Sequence, residues 1–332
     1  MKSQYEKKRL ITFDRIKIKS NYKYLLATKV KFNEMFHSRS GKKTGIFYSS
    51  KDDINIPYNL YIAVSYIKQT LTLEFSSKIL KEKYPDLISK DTIKECLTNI
   101  NQLNICDIDV DSILSNGAIT SVDVTYDANL ILSDNLLDAL NSQVNNYRRF
   151  KWAHYDKEGI IFTKDVKSKD CTETITLYNK EKEIYTSHNK DFLNSLSQPQ
   201  SIIDYFKGKT RFEITLNTPK KIMNYLNLTD TKISSVLNSN TNPILIQFDK
   251  VFGNSITNVP NATLDNYEEW SMKIILDNYN GDLKQLEQDI RSKFSSRSGA
   301  AKRMKKFEAV YRTMTSASTN ENIIEKIRNL LL

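Results

Sequence analysis

Four stretches of the chain alternate apolar and polar residues with the two-residue period of a β-strand: Thr70 to Phe75, Ile119 to Asp127, Thr172 to Lys180 and Arg211 to Asn217. One face of these strands carries Leu71, Leu73 and Phe75, then Val122 and Val124, Ile175 and Leu177, and Phe212, Ile214 and Leu216. The other carries Glu74, then Ser121, Asp123, Thr125 and Asp127, then Thr174, Thr176, Tyr178 and Lys180, then Arg211, Glu213, Thr215 and Asn217. Paired in one sheet, the strands would bury the first set and gather carboxylates, a tyrosine and two cations on the second. Residues 10 to 20 alternate well enough for an opening strand through Leu10, Thr12, Ile16 and Ile18, and Gly159 to Thr163 forms a hairpin with Thr172 to Lys180.

Between the strands the period changes to that of a helix. Apolar residues at helical spacing run from Ile93 to Leu103, with Ser89 or Asp91 as N-cap. A second stripe, Leu136, Leu137, Leu140, Val144 and Tyr147, is capped by Ser133. The order of strand, helix, strand, helix, hairpin and strand predicts an α+β domain with a mostly antiparallel central sheet packed by helices, about residues 1 to 218. From about Thr218 helical stripes dominate, among them Trp270 with Ile274 and Ile275, Leu283 with Leu286 and Ile290, and Ile323 to Leu331. Residues 219 to 332 are therefore predicted to be helical and basic.

The chain has 332 residues, with 49 Lys and Arg against 39 Asp and Glu, a net charge of +10 that favours a polyanionic partner, nucleic acid first. Seven cations and no acid lie between Arg291 and Lys306, including Lys302, Arg303, Lys305 and Lys306, a density suited to riding on phosphates; a solvated helix face is the alternative. Arg148 and Arg149 add a second basic exit. The start of the chain lacks a signal-peptide core and no run approaches a membrane span, so no membrane partner and a cytoplasmic location are expected.

The three cysteines, Cys96, Cys106 and Cys171, show no paired metal-ligand spacing, and His37, His154 and His188 are isolated. Gly41 to Gly45 fails as a phosphate loop, because the first glycine is missing and Lys43 follows Lys42. A metal site would have to be built from carboxylates. Aspartate is disfavoured in strands, and two on one face, Asp123 and Asp127, are explained by a hard divalent cation such as Mg²⁺ or Mn²⁺, with Glu74 and Glu213 as further ligands. An edge strand with incidental acids is the competing account.

With these strands in place, the chain resembles the filamentous-phage gene II replication initiators. The matching segments, in order, are Leu73-Glu74-Phe75-Ser76-Ser77-Lys78-Ile79-Leu80, Ile119-Thr120-Ser121-Val122-Asp123, Leu177-Tyr178-Asn179-Lys180 with Glu183, and Arg211-Phe212-Glu213. The resemblance implies a rolling-circle initiator related to the HUH-type nickases. Such a protein cuts and rejoins one DNA strand at a phage or plasmid origin in a bacterial cell, with Tyr178 as nucleophile, Lys180 beside it and a host helicase and polymerase as partners. The family usually has Arg two residues before the strand aspartate. Ser121 stands there, which leaves Asp123 without an evident charge partner. Arg211, Lys180 and the cationic run are expected to hold the DNA backbone. A mobilisation relaxase or nicking transposase, and a non-enzymatic origin binder, are the alternatives.

Overall fold

The computed structural model describes residues 11–142, 150–155, 159–164, 173–256, 267–279, 282–293 and 296–332. Its strands are β1 (Phe13–Asn21), β2 (Leu25–Thr28), β3 (Asn33–Phe36), β4 (Lys43–Ser49), β5 (Leu60–Ser65), β6 (Thr70–Ser76), β7 (Cys106–Ile108), β8 (Ala118–Asn129), β9 (Phe150–Tyr155), β10 (Gly159–Lys164), β11 (Thr174–Asn179) and β12 (Lys209–Leu216). The helices are α1 (Ile93–Gln102), α2 (Val110–Asn116), α3 (Asp134–Ser142), α4 (Lys180–Glu183), α5 (Ser187–Asn194), α6 (Pro199–Phe206), α7 (Pro219–Leu226), α8 (Ile233–Leu237), α9 (Pro243–Ile256), α10 (Tyr267–Asn278), α11 (Leu283–Lys293) and α12 (Arg297–Leu331). The fold is α+β, as the residue pattern predicts, and among the described residues the main sheet has ten strands in the order β3-β4-β5-β6-β1-β8-β12-β11-β10-β9. Every described pairing in it is antiparallel.

Two compact units divide the chain: 1–132 with 149–248 and 331–332, and 133–148 with 249–330. In the first, the apolar face reads straight across neighbouring strands. Leu60, Phe75, Ile16, Val122 and Leu216 form one row, and Ile62, Leu73, Ile18 and Ile119 another, all buried. Helices α2, α7 and α8 pack against the central strands of this unit. In the second unit, Met272 and Leu276 of α10, Leu286 and Ile290 of α11, and Ala300, Met304, Phe307 and Val310 of α12 form a separate core.

The opening strand differs from expectation in a way that matters. It begins at Phe13 and lies at the centre of the sheet, between β6 and β8. Two register shifts break simple alternation. Phe13 pairs with Val124 while Arg15 pairs with Asp123, so Asp14 is an extra, bulged residue on β1; Lys17 pairs with Ser121 while Ile18 pairs with Ile119, so Thr120 is the extra residue on β8. A bulge turns one residue out of the two-residue cycle. Asp14 and Arg15 therefore both serve the polar side while Phe13 and Ile16 stay buried.

Other expectations shift by smaller amounts. The helix predicted from Ile93 starts there, but Thr92 occupies the N-cap instead of Ser89 or Asp91. The Ser133 hydroxyl does accept from the Leu136 N–H of α3, at 3.3 Å. The failed phosphate loop lies at a β-hairpin turn between β3 and β4, closed by the His37 N–H donating to the Lys42 carbonyl at 2.9 Å. Gly41 supplies its left-handed residue at φ 64°. Cys96 and Cys106 are buried, and Tyr147, Arg148, Arg149 and Cys171 lie outside the described residues. No helix among the described residues is long and apolar enough to cross a membrane.

Leu73 is enclosed between Ile18 and Ile62 and has no exposed surface. Leu73→Ala is expected to cost about 2–5 kcal/mol, seen in urea titration as a lower midpoint with an unchanged slope.

Candidate active site

The polar faces of the central strands do meet, in four rows. Tyr178 of β11, Arg211 of β12 and Asp127 of β8 form the first, and Thr176, Glu213 and Thr125 the second. Thr215, Asp123 and Arg15 form the third, and Ser121, Lys17 and Glu74 the fourth. Antiparallel pairing of the alternating strands is sufficient to produce this arrangement.

Arg211 has no exposed surface. Its Nε and Nη2 donate to the two carboxylate oxygens of Asp127 at 2.7 and 2.8 Å, and its Nη1 donates to the Tyr84 hydroxyl at 3.1 Å and lies 3.3 Å from Asp14 Oδ1. Ser77 donates to the same Asp14 oxygen at 2.5 Å. Burial disfavours the charge of Arg211, yet Asp127, Tyr84 and Asp14 outweigh it and hold the guanidinium firmly protonated. The expectation that Arg211 lies on a DNA backbone gives way here, because all of its surface is covered by protein. Asp127 spends both oxygens on this arginine.

Tyr178 is 5% exposed, and its hydroxyl donates to Glu213 Oε2 at 3.4 Å. Its ring lies 5.3 Å from that of Tyr155 on β9, and Gly159 stands directly opposite it on β10. A Cβ at Gly159 would fall 2.1 Å from the Leu177 carbonyl oxygen and 2.6 Å from Tyr178 Cβ, so this glycine is required by close approach. Burial, and next the Glu213 carboxylate, push the Tyr178 phenol well above its ordinary range, with Arg211 pulling the other way.

Lys180 does not extend the strand. β11 ends at Asn179, whose side chain accepts from the Lys182 N–H, and Lys180 opens the short helix α4. Its ammonium is buried, donates to Glu183 Oε2 at 2.5 Å, and sits over the Tyr178 ring, 5.7 Å from its centre. Burial and Arg211 oppose its charge, but Tyr84, Glu183 and Asp14 prevail and raise its pKa. Lys180 does stand beside Tyr178, but burial keeps the Tyr178 phenol neutral at rest. Over this region pack the 3₁₀ segment Ser77–Asp86 and α4 to α6, through Tyr84, Ile184, Phe192, Leu196, Ile202 and Phe206.

Asp123 has the charge partner that the serine at 121 leaves unexplained. Arg15 Nε donates to Asp123 Oδ2 at 2.6 Å and Nη2 to Oδ1 at 3.0 Å; Nη1 reaches Glu74 Oε1 at 2.8 Å and Nη2 the Ser121 hydroxyl at 3.3 Å. Lys17 pairs with the other Glu74 oxygen at 2.9 Å. Against burial, Lys17 and Arg15 lower the Glu74 pKa. The signal is present in the sequence, since Arg15 and Lys17 alternate with Ile16 and Ile18.

Glu213 differs from these acids. It is partly exposed, and burial pushes its carboxyl up to about 8, with Asp123 and Asp14 adding to the rise while Arg211 and Lys180 work against it. Among the described residues no three Asp, Glu, His or Cys side chains converge as metal ligands. Glu74, Asp123 and Asp127 are engaged by Arg15, Lys17 and Arg211, so the expected set of Glu74, Asp123, Glu213 and Asp127 does not fit Mg²⁺ or Mn²⁺ as arranged.

The basic run is divided between the end of α11 and the start of α12. On α12 the buried residues Ala300, Met304 and Phe307 leave Lys302, Arg303, Lys305 and Lys306 exposed, with Lys306 paired to Glu268 of α10 at 2.6 Å. Arg291 pairs with Glu287 one turn earlier at 2.6 Å.

A proton on Glu213 is held more tightly in the folded than in the unfolded chain. Wild-type stability should therefore fall as pH rises from the ordinary glutamate value of 4.5 through about 8. Glu213→Gln, which keeps the neutral form, should lose less. The melting-temperature difference between the two is expected to widen in favour of glutamine as pH rises through that window; a constant difference would contradict the crowding described.

Comparison with known families places a match over residues 87–236, to the model of the N-terminal part of the phage gene II replication-associated protein. No curated protein matches the chain.

Proposed function

From the match of residues 87–236 to the N-terminal region of the gene II replication-associated protein, we propose that the chain is a rolling-circle replication initiator that nicks and rejoins one strand of origin DNA through Tyr178. The observation that carries the reading is the Tyr178 hydroxyl directed at Glu213, on a strand face whose ionisable groups come from five neighbouring strands.

In the proposed reaction, the ionised Glu213 takes the phenolic proton as the Tyr178 oxygen attacks phosphorus. The bond from phosphorus to the 3′-oxygen breaks, and the departing oxygen takes a proton from solvent water to become a 3′-hydroxyl. The product is a 5′-phosphotyrosine, and reversal by a 3′-hydroxyl restores the strand with no energy source beyond the ester itself. Tyr155 and Gly159 position the ring, and Arg211 and Lys180 are positioning cations from within. In this reading the nicking and joining part is 1–218. Residues 219–332 contribute DNA contacts, with Lys302, Arg303, Lys305 and Lys306 on phosphates and Arg148 and Arg149 as further contacts. Mg²⁺ or Mn²⁺, the cofactor expected from the strand carboxylates, takes no part in this reaction, because Glu74, Asp123 and Asp127 are occupied by arginine and lysine.

Supercoiled plasmid carrying the cognate origin tests this reading. Wild type is expected to yield a nicked circle and a protein–DNA adduct resistant to denaturant, and Tyr178→Phe neither. An adduct formed by Tyr178→Phe would refute it. Below about pH 8 the single-turnover nicking rate should rise roughly tenfold per pH unit as Glu213 loses its proton, and Glu213→Gln should remove that slope.

A further inference from the structure

We propose that Arg15 is the resident cation of this sheet face, and that Glu74 and Asp123 are its seat and not that of a divalent metal. All four oxygens of the two carboxylates are already engaged. Asp123 Oδ2 receives Arg15 Nε, and Oδ1 receives Arg15 Nη2 and the Thr215 hydroxyl; Glu74 Oε1 receives Arg15 Nη1, and Oε2 receives Lys17 Nζ. Two negative charges meet two positive ones. The planar guanidinium matches Asp123 edge to edge and has a further nitrogen left for Glu74, a geometry an ammonium lacks.

The backbone is built for this contact. Arg15 lies opposite Asp123 in the same register that seats Ile16 on Val122 and Lys17 on Ser121, and the bulge at Asp14 brings a further acid to this side while Phe13 stays buried. Strand acids that must lie near DNA phosphates would repel them unless a cation intervened. Here the chain supplies that cation itself, from a strand that precedes the family-matched segment. A divalent ion at these two acids would have to expel both Arg15 and Lys17 or leave the group with an excess of two positive charges.

Mn²⁺ binding to the full chain, followed without DNA by the loss of the free-ion electron paramagnetic resonance signal, tests this apart from nicking. Failure here leaves the Tyr178 reading standing, and failure of that reading leaves this one intact. Wild type, Glu74→Gln and Asp123→Asn are expected to bind equal numbers of Mn²⁺ ions. Arg15→Met should bind one more, and Arg15→Met combined with Asp123→Asn should lose it again. A wild-type Mn²⁺ ion that disappears in Glu74→Gln or Asp123→Asn would overturn the proposal, as would a folded Arg15→Met that gains none. If Arg15→Met fails to fold, the comparison of wild type with Glu74→Gln still decides the matter.

Discussion

A guanidinium cut off from water governs the architecture of this face. Arg211 can keep its charge only where other charges meet it, because an unpaired buried cation costs several kcal/mol, roughly 3–5 when one partner of a buried pair is removed. Asp127 answers along two hydrogen bonds and Asp14 from the far side, and Tyr84 closes the remaining edge. These partners come from β8, β1 and the segment after β6, so satisfying one side chain fixes the relation of three parts of the chain distant in sequence. Tyr178 is the direct cross-strand neighbour of Arg211, and its ring inherits that fixed position.

The same logic of compensation extends outward in a graded way. Nearest the covering helices, Arg211 and Lys180 are enclosed and paired with Asp127, Asp14 and Glu183. Further along the rows, Arg15 and Lys17 are partly open and hold Asp123 and Glu74. Glu213 sits between the two groups, its side chain meeting the Tyr178 hydroxyl, and Asp123 and Asp14 press it toward its neutral form. A proton acceptor with a raised pKa facing a phenol is a combination found where proton transfer is wanted. The purely structural role of such a residue would be better served by a glutamine.

Much of the sheet is legible in the sequence because period-two alternation states which residues share a face, and the rows through Glu74, Asp123, Glu213 and Tyr178 follow from it once the strands pair. Arg15 and Lys17 are legible too, since they alternate with Ile16 and Ile18, but Asp14 is hidden: the run Thr12, Ile16 and Ile18 assigns it to the buried face, and the bulge turns it to the polar side. The role of Arg211 is hidden for a different reason. A sequence gives residue type but not cover, and the cover comes from Tyr84 and Phe206, whose positions depend on the kinked segment Ser77–Asp86 and on α6. Lys180 likewise fits a strand by alternation, but Asn179 is a competent helix cap and ends the strand one residue earlier. Part of the helical core of the second unit is visible in the spacing of Leu283, Leu286 and Ile290, whereas the contribution of Met304 and Phe307, inside the basic run and just after it, is not.

A double-mutant cycle between Arg211 and Asp127 tests the central claim, that buried charge compensation organises this face. Chemical denaturation of wild type, Asp127→Asn, Arg211→Met and the double variant supplies the four stabilities. Asp127→Asn alone, which strands the guanidinium, should be the least stable of the set, and adding Arg211→Met should restore a measurable part of the loss. Losses that simply add, with the double variant the least stable, would show that Arg211 and Asp127 contribute independently and that their pairing does not hold the site together.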